Sequence, residues 1–242
     1  MLGCDCAVCT SNDPRNQRTR PSVLLRLTGG DVLIDTTPEM RIQLLRSRVG
    51  FVHAILYTHS HVDHLYGLDD ARPFPKLLGR PVPIYCEPTV ETDIRRIFSY
   101  AFSESARKLP PGGLPQLEFH PIGPGVNFSL LGEQFLPIRL EHGRFQVLGF
   151  RIGNLAYCTD VSRIPDESWP LLEGVETLIL DALRYDPHPT HFNLEQALEV
   201  VERLKPARTY FTHLSHQFDH AQTESALPPG VLLAYDGMIL DF

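Results

Sequence analysis

His59-Ser60-His61-Val62-Asp63-His64 places four strong metal ligands within six residues, directly after the apolar run Ala54-Ile55-Leu56-Tyr57. Imidazole nitrogens and carboxylate oxygens suit zinc, manganese or iron, and a short segment that supplies all of them loses little entropy on chelation. Three of the chain's 11 histidines lie in this string, so an accidentally polar surface loop is the weaker interpretation. The string predicts a metal-binding loop that follows a buried strand.

The composition is that of an ordinary folded protein. With 242 residues, of which 43% are hydrophobic and 21% charged, the chain is long enough to bury a large core. We expect one domain over residues 1–242. No apolar stretch is long enough to cross a bilayer, and the first six residues lack the basic patch and apolar core of a secretory signal. We therefore expect a cytoplasmic protein with no membrane partner and with reduced cysteines.

The charge of the chain bears on its partners. A net charge of −7 argues against a nucleic-acid surface, which needs clustered positive charge to release counterions. A small phosphorylated substrate is compatible with this charge, because bound metal ions reverse the local sign of the field.

The chain alternates between strand and helix patterns, as expected of an α/β fold. Strand patterns cover residues 22–28, 31–36, 54–58, 82–86, 117–122, 134–140, 147–152, 155–159, 177–180, 209–212 and 231–235. Gly29-Gly30 predicts the turn between the first two strands. Helix patterns cover residues 38–48, 90–102 and 194–204, the last with Asn193 as its N-cap. The Pro- and Gly-rich residues 108–115 predict an irregular loop.

Four of these predicted strands are followed within two residues by a candidate ligand: His59, His142, Asp160 and His213. Side chains at the rim of a rigid sheet can be held to the tolerance that a metal site needs. We expect the four strand ends to converge. Any one of the last three residues alone would more often be a surface or satisfied polar side chain.

A cysteine cluster, Cys4-x-Cys6-x-x-Cys9, stands near the start of the chain. It supplies three soft ligands, whereas a closed tetrahedral zinc site needs four. Three reduced surface thiols are the alternative. Cys86 and Cys158 each end an apolar strand and are expected to be small core residues.

Together, His59-x-His61-x-Asp63-His64, His142, Asp160 and His213 resemble the ligand set of the metallo-β-lactamase superfamily. This resemblance implies an αββα sandwich, in which two mixed sheets are flanked by helices, and a dinuclear metal site at one edge. Within the superfamily, the cysteine cluster and the segments 212–219, 226–228 and 236–238 are similar to PhnP-type phosphodiesterases. Those proteins act on phosphoribosyl cyclic phosphate in phosphonate breakdown.

The resemblance assigns roles to individual residues of this chain. It implies that His59, His61 and His142 hold one divalent ion, zinc or manganese, that Asp63, His64 and His213 hold another, and that Asp160 bridges them. A hydroxide between the two ions would attack the ester, and Asp63 is expected among the catalytic residues. His191 falls where the family has a further active-site histidine, which could protonate the departing oxygen. Its alternative role is to cap the helix at 194–204.

The resemblance also implies that His216 completes a structural zinc site with Cys4, Cys6 and Cys9, which form a zinc knuckle at residues 4–9. Superfamily members often use an early aspartate, at the position of Asp35, to brace the ligand loop. Chains of the PhnP type usually begin with a strand before the cysteines, whereas Met1 stands three residues before Cys4. We therefore expect a sheet that lacks the usual first strand, or a start that was assigned late.

The sequence thus predicts a dinuclear metal-dependent phosphodiesterase that hydrolyses a small, cyclic phosphate ester. One alternative is a tRNA 3'-end endonuclease of the same fold, although such enzymes normally carry a basic arm. A coenzyme PQQ accessory protein, a thioesterase or a lactonase also stays open. From a different class, the chain could be a zinc-binding module without turnover. A homodimer is compatible with all of these.

Overall fold

The structure is a computed structural model that describes residues 1–104, 109–110 and 112–242. The loop predicted at 108–115 therefore lies partly outside the described residues. The chain folds into two compact units. Residues 20–134 form what we call the first unit, and residues 1–19 together with 135–242 form the second unit. The single domain expected from the chain length stays a prediction. Within the described ranges, no helix is long and apolar enough to span a membrane.

The first unit is built on a mixed sheet whose strands are neighbours in the order in which they occur along the chain. These strands are β1 (Val23–Leu27), β2 (Gly30–Ile34), β3 (Ala54–Leu56), β4 (Val82–Cys86) and β5 (Leu117–Pro121). The first pair is antiparallel and the other pairs are parallel. A further short strand, β6 (Phe128–Leu130), follows.

The hairpin turn between β1 and β2 is shifted by one residue from its predicted position. Leu27 pairs with Gly30, so the two-residue loop is Thr28-Gly29 and Gly30 is the first residue of β2. Gly30 has a φ of 135°, and a Cβ at this position would lie 2.5 Å from Nδ1 of His53. Only glycine fits such a close approach in this region of φ.

The described part of the first unit has four α-helices: α1 (Met40–Arg46), α2 (Val62–Leu65), α3 (Phe74–Leu78) and α4 (Pro88–Ile97). They contribute Met40, Leu65, Phe74 and Ile94 to a buried apolar core. The predicted helix at 90–102 ends earlier, because Phe98 leaves helical geometry with φ −101° and ψ 37°. The chain continues as a 3-10 turn, Ser99–Phe102.

The second unit contains a mixed sheet in the order β12-β11-β10-β9-β8-β7. Its strands are β7 (Glu133–His142, which begins just before the unit boundary), β8 (Phe145–Ile152), β9 (Leu155–Cys158), β10 (Thr177–Asp181), β11 (Arg208–Thr212) and β12 (Val231–Leu233). The pairs from β7 to β9 are antiparallel, and the pairs from β9 to β12 are parallel. The carboxyl ends of β9, β10 and β11 therefore lie at the same edge of the sheet.

Three helices complete the second unit: α5 (Trp169–Leu172), α6 (Leu194–Leu204) and α7 (His220–Ser225). α6 has the bounds that its pattern predicted. Asn193 accepts a hydrogen bond from the backbone of Gln196, and the Gln196 side chain accepts one from the backbone of Asn193. This capping box satisfies two amide groups that the helix itself cannot pair.

Cys86 and Cys158 are buried, with 1% and 0% of their surface exposed, which confirms that they are core residues. Among the described residues before Val23 there is no strand, and the regular structure there is one 3-10 turn, Pro14–Asn16.

Candidate metal centre

The string that begins at His59 forms a tight ligand group in the first unit. Its residues follow β3 and lead directly into α2, with the backbone N–H of His64 donating to the carbonyl of His61 at 3.0 Å. The ring of His59 lies 4.5 Å from that of His61 and 4.4 Å from that of His64. Nε2 of His64 lies 3.8 Å from Oδ2 of Asp63. The four predicted ligands of the string are thus brought together.

Asp35 braces this loop from the end of β2, as expected. The carboxylate is fully buried and accepts from the backbone N–H of Thr58 at 2.9 Å and from the Thr58 hydroxyl at 2.7 Å. It also lies 2.7 Å from Nδ1 of His64. Burial raises the pKa of Asp35, while the nearby His64 and these hydrogen bonds lower it. Asp35 therefore orients both the predicted ligand His64 and the segment that leads to His59.

Proton counting identifies the nitrogen that each histidine presents. The single hydroxyl proton of Thr58 goes to Asp35, so Nδ1 of His59, 2.9 Å from Thr58 Oγ1, must donate to that oxygen. Nδ1 of His64 donates to Asp35 because a carboxylate offers only acceptors. A neutral imidazole that donates through Nδ1 carries its lone pair on Nε2, the form that binds a metal ion. The donor set of this group therefore fits a divalent cation.

The second unit holds the other three predicted ligands at the edge where its strands end. His142 is the last residue of β7, Asp160 follows β9 closely, and His213 directly follows β11. Nε2 of His142 lies 3.7 Å from Oδ2 of Asp160, whereas Nε2 of His213 lies 3.5 Å from Oδ1. Each oxygen of the carboxylate thus lies near a different histidine, which is the arrangement that a bridging ligand needs.

Further contacts hold these ligands in place. Nδ1 of His142 donates to the carbonyl of Thr190 at 2.6 Å, which again leaves the lone pair on Nε2. Asp160 and His213 have positive φ values of 54° and 58°. Non-glycine residues rarely adopt this conformation, which costs free energy and is concentrated at functional sites.

His191 lies beside these ligands and is oriented by a carboxylate that the sequence analysis missed. Its ring is 4.6 Å from that of His142 and 4.7 Å from that of His213. Nδ1 of His191 donates to Oδ2 of Asp181 at 2.7 Å, and the same oxygen accepts from the backbone N–H of Val161 at 2.9 Å. Burial raises the pKa of Asp181, against the lowering effect of its hydrogen bond with His191.

Asp181 could have been found from the sequence. It stands directly after the predicted strand at 177–180, just as the four candidate ligands stand after their predicted strands. The alternative role considered for His191, a cap of α6, is not observed, because Asn193 is the N-cap of that helix.

The cysteine cluster meets His216 in the second unit. The ligand atoms of Cys4, Cys6, Cys9 and His216 all lie within 4.8 Å of one another. Nδ1 of His216 is 3.5 Å from Sγ of Cys4 and 3.4 Å from Sγ of Cys6. The hydrogen bond with His216 lowers the pKa of the Cys6 thiol to about 6. Three thiols and one imidazole are a complete donor set for a tetrahedral zinc ion.

The residues after the cysteines are tied to the same part of the second unit. Asn16 donates to Asp219 at 3.0 Å, and Arg18 donates to the carbonyls of Ser215 at 3.2 Å and Phe218 at 2.9 Å. Arg18 thus fastens the N-terminal segment around His216. Arg15, close to this segment in sequence, pairs with Asp13 at 2.8 Å.

Comparison with known proteins gives these ligand groups a context. The family model described as a beta-lactamase superfamily domain matches residues 31–214. A crystal structure of a diphosphatase from the PhnP family is 44% identical, with a TM-score of 0.90, over 98% of this chain and 89% of that chain. This similarity confirms the expected fold class, an αββα arrangement of two mixed sheets flanked by helices.

Two curated relatives have different names. An octanoyltransferase from Porphyromonas gingivalis is 35% identical over 240 residues, which are 98% of this chain and 48% of that protein. A ribonuclease Z from Crocosphaera subtropica is 32% identical over 149 residues, which are 59% of this chain and 45% of that protein. The chain thus spans about half the length of these curated relatives.

Proposed function

Because this chain belongs to the beta-lactamase superfamily and, within it, to the PhnP family, we propose that it is a metal-dependent hydrolase of phosphodiesters. The substrate is a small, cyclic phosphate ester. The observation that carries the proposal is the placement of Asp160, whose two oxygens lie 3.7 and 3.5 Å from Nε2 of His142 and His213. A carboxylate shared between two nitrogen ligands suits a pair of cations and has no use in a closed structural site.

In this proposal, seven side chains hold two divalent ions, zinc or manganese. His59, His61 and His142 hold one, Asp63, His64 and His213 hold the other, and Asp160 belongs to both. This assignment is supported by the family relationship and by the nitrogen and oxygen donors within each group. Such ions, when bound, lower the pKa of a coordinated water and neutralise charge that develops on phosphorus.

His191 acts as the general acid for the departing oxygen. Its Nδ1 proton is engaged by Asp181, so the proton that it can deliver is the one on Nε2. The buried carboxylate of Asp181 fixes the plane of the ring, so that Nε2 faces away from it. The hydrogen bond from Val161 to the same oxygen keeps Asp181 in place. An alkoxide leaving group needs this proton far more than a phenolate does.

The names of the relatives indicate other reactions, which the coverage of each similarity and the charge of this chain support to different degrees. The diphosphatase similarity supports hydrolysis at phosphorus. The ribonuclease Z similarity covers 59% of the chain, and the net charge of −7 disfavours a large RNA substrate. The relative whose name indicates acyl transfer, the octanoyltransferase, is about twice as long as this chain.

The test is turnover of bis(4-nitrophenyl) phosphate by protein that is replete with manganese or zinc. We expect hydrolysis, and loss of it in Asp63→Ala, with Glu133→Gln as the matched exposed-carboxylate control. Thioester, lactone and precursor-tRNA substrates are run in parallel. Absence of phosphodiester turnover in metal-replete protein contradicts the proposal, and bound metal without any turnover favours the zinc-binding module.

The same proposal includes a role in phosphonate metabolism, a cytoplasmic location and a homodimer. The genes beside this one test the first, because a phosphonate role predicts neighbouring carbon-phosphorus lyase genes. Light scattering coupled to size-exclusion chromatography tests for the homodimer.

A further inference from the structure

The ligand string of the first unit is bordered by exposed apolar and aromatic side chains. Val62, which stands between the ligands His61 and Asp63, is 52% exposed. Tyr66 and Tyr100 are 47% and 45% exposed. Single exposed apolar residues are common on protein surfaces, but a contiguous group marks a binding surface. We call Val62, Tyr66 and Tyr100 the aromatic platform.

Backbone and side-chain contacts place these three residues on one face. The backbone N–H of Tyr66 donates to the carbonyl of Val62, so Tyr66 lies one helical turn beyond Val62 on the same side. Asp69 is three residues further along the 3-10 helix Tyr66–Ala71, where residues i and i+3 are aligned. The hydroxyl of Tyr100 donates to Oδ1 of Asp69 at 2.5 Å, which brings Tyr100 to this face.

The two exposed rings are held in position from below. Phe98 is buried, and its ring lies 6.3 Å from the rings of both Tyr66 and Tyr100, at interplanar angles of 70° and 67°. Asp69, which anchors the Tyr100 hydroxyl, is itself paired with Arg72 at 3.1 Å. Rings that are fixed before binding lose little entropy when a ligand stacks on them.

The charges around the platform indicate what kind of group it accepts. Residues 57–71 contain Asp63, Asp69 and Asp70 but no lysine or arginine, and the charge of the adjacent Arg72 is paired with Asp69 at 3.1 Å. The surface therefore does not attract a second phosphate or a carboxylate. It suits an uncharged planar ring, which gains from stacking and from the removal of apolar surface from water.

We propose that the aromatic platform binds a planar aromatic or heteroaromatic ring carried by the phosphoester. The inference rests on the proposed function, since the ester must be held at the ligands that flank Val62. One helical turn, about 5.4 Å, separates Val62 from Tyr66 along the axis. The platform thus begins at the metal ligands and extends one turn away, within reach of a ring attached to the phosphate directly or through a sugar.

The test compares competitive inhibitors that differ only in the ring. Phenylphosphonate against methylphosphonate probes an aryl group, and AMP against ribose 5-phosphate probes a nucleobase. In metal-replete wild-type protein we expect the aromatic member of at least one pair to inhibit bis(4-nitrophenyl) phosphate turnover roughly tenfold more strongly. Tyr66→Ala and Tyr100→Ala should reduce that ratio to about 2 or less, whereas Tyr66→Phe and the exposed control Leu77→Ala should keep it.

A ratio near one in wild type for both pairs overturns the inference, as does a ratio that survives both alanine substitutions. Circular dichroism and bound-metal content show that each variant is folded and loaded. If wild-type protein gives no turnover, the proposed function fails on its own, and calorimetric dissociation constants for the same four ligands decide the fate of the platform.

Discussion

At the scale of single residues, one hydroxyl group determines the chemistry of the ligand string. Thr58 Oγ1 donates to Asp35 and accepts from Nδ1 of His59. Thr58→Val removes both bonds in a fully buried position. We expect it to lower the free energy of unfolding by about 1–3 kcal/mol and to weaken metal binding about 10–100-fold. Urea unfolding of metal-free protein and metal titration measure the two effects separately.

Thr58→Ser is the matched control, because it keeps the hydroxyl and removes only a methyl group. It should bind metal almost as tightly as the wild type. Equal metal affinity in the valine and serine variants would show that the orientation of His59 does not depend on this hydroxyl.

His191 gives a second prediction at this scale. If it protonates the departing oxygen, His191→Ala should lower kcat about 10²–10⁴-fold for an ester with an alkoxide leaving group. The loss should be much smaller for 4-nitrophenolate, which departs without a proton. Asp181→Asn, which removes the carboxylate that accepts from Nδ1 and orients the ring, should act in the same direction with a smaller loss. Steady-state kinetics on both substrates give the ratio.

Bound metal must be counted in these variants, because His191 lies next to His142 and His213. Equal losses on the two substrates with full metal content would mean that His191 is not the acid. A loss of metal in His191→Ala would instead identify it as a ligand.

At the scale of elements, the cysteine cluster is a short segment that has no regular structure to hold it. Cys6→Ser should remove about one zinc per chain while the other ions stay mostly in place. It should also lower the melting temperature, since the N-terminal segment loses its anchor at His216. Elemental analysis and thermal unfolding measure both. The control is Asp5→Asn, which changes the neighbouring exposed residue and leaves the four zinc ligands intact.

A Cys6→Ser protein with an unchanged zinc content would leave the cluster as ordinary thiols. His216 stands three residues after His213, so loss of the zinc should also reduce turnover. If high added zinc restores the turnover of Cys6→Ser protein, the loss of turnover comes from the zinc site formed by the cysteines and His216.

The elements themselves were predictable in proportion to their length. α6 was found with its bounds because eleven residues carry a full apolar stripe and Asn193 supplies a capping side chain. α2, α3, α5 and α7 have four to six residues each, too few to show a helical period. The three-residue strand β6 was missed as well.

At the scale of the whole molecule, both units place their candidate site residues by the same rule. In the first unit Asp35 follows β2 and His59 lies just beyond β3, which are parallel neighbours. In the second unit Asp160, Asp181 and His213 lie at the ends of β9, β10 and β11, also parallel neighbours. Parallel strands end at one edge, so residues distant in sequence become neighbours there. This is why most of the candidate ligands could be read from the sequence.

The aromatic platform could not be read in this way. Val62 and Tyr66 come from one segment and Tyr100 from another, and the hydrogen bond from Tyr100 to Asp69 brings Tyr100 to the same face. No periodic pattern or spacing in the chain encodes that contact. Substrate preference is therefore the property that the sequence predicts least.

The net charge of the molecule gives the last prediction. With 22 basic and 29 acidic residues, the protein gains little from releasing the counterions of a polyanion. We expect kcat/KM for a small phosphodiester to change less than about threefold between 50 and 200 mM salt, and tRNA to compete weakly at 150 mM. A nuclease that neutralises six to ten phosphates would lose about 10³–10⁵ in affinity over that range. A steep salt dependence with precursor-tRNA cleavage would therefore favour the endonuclease, whereas a flat one supports the small ester.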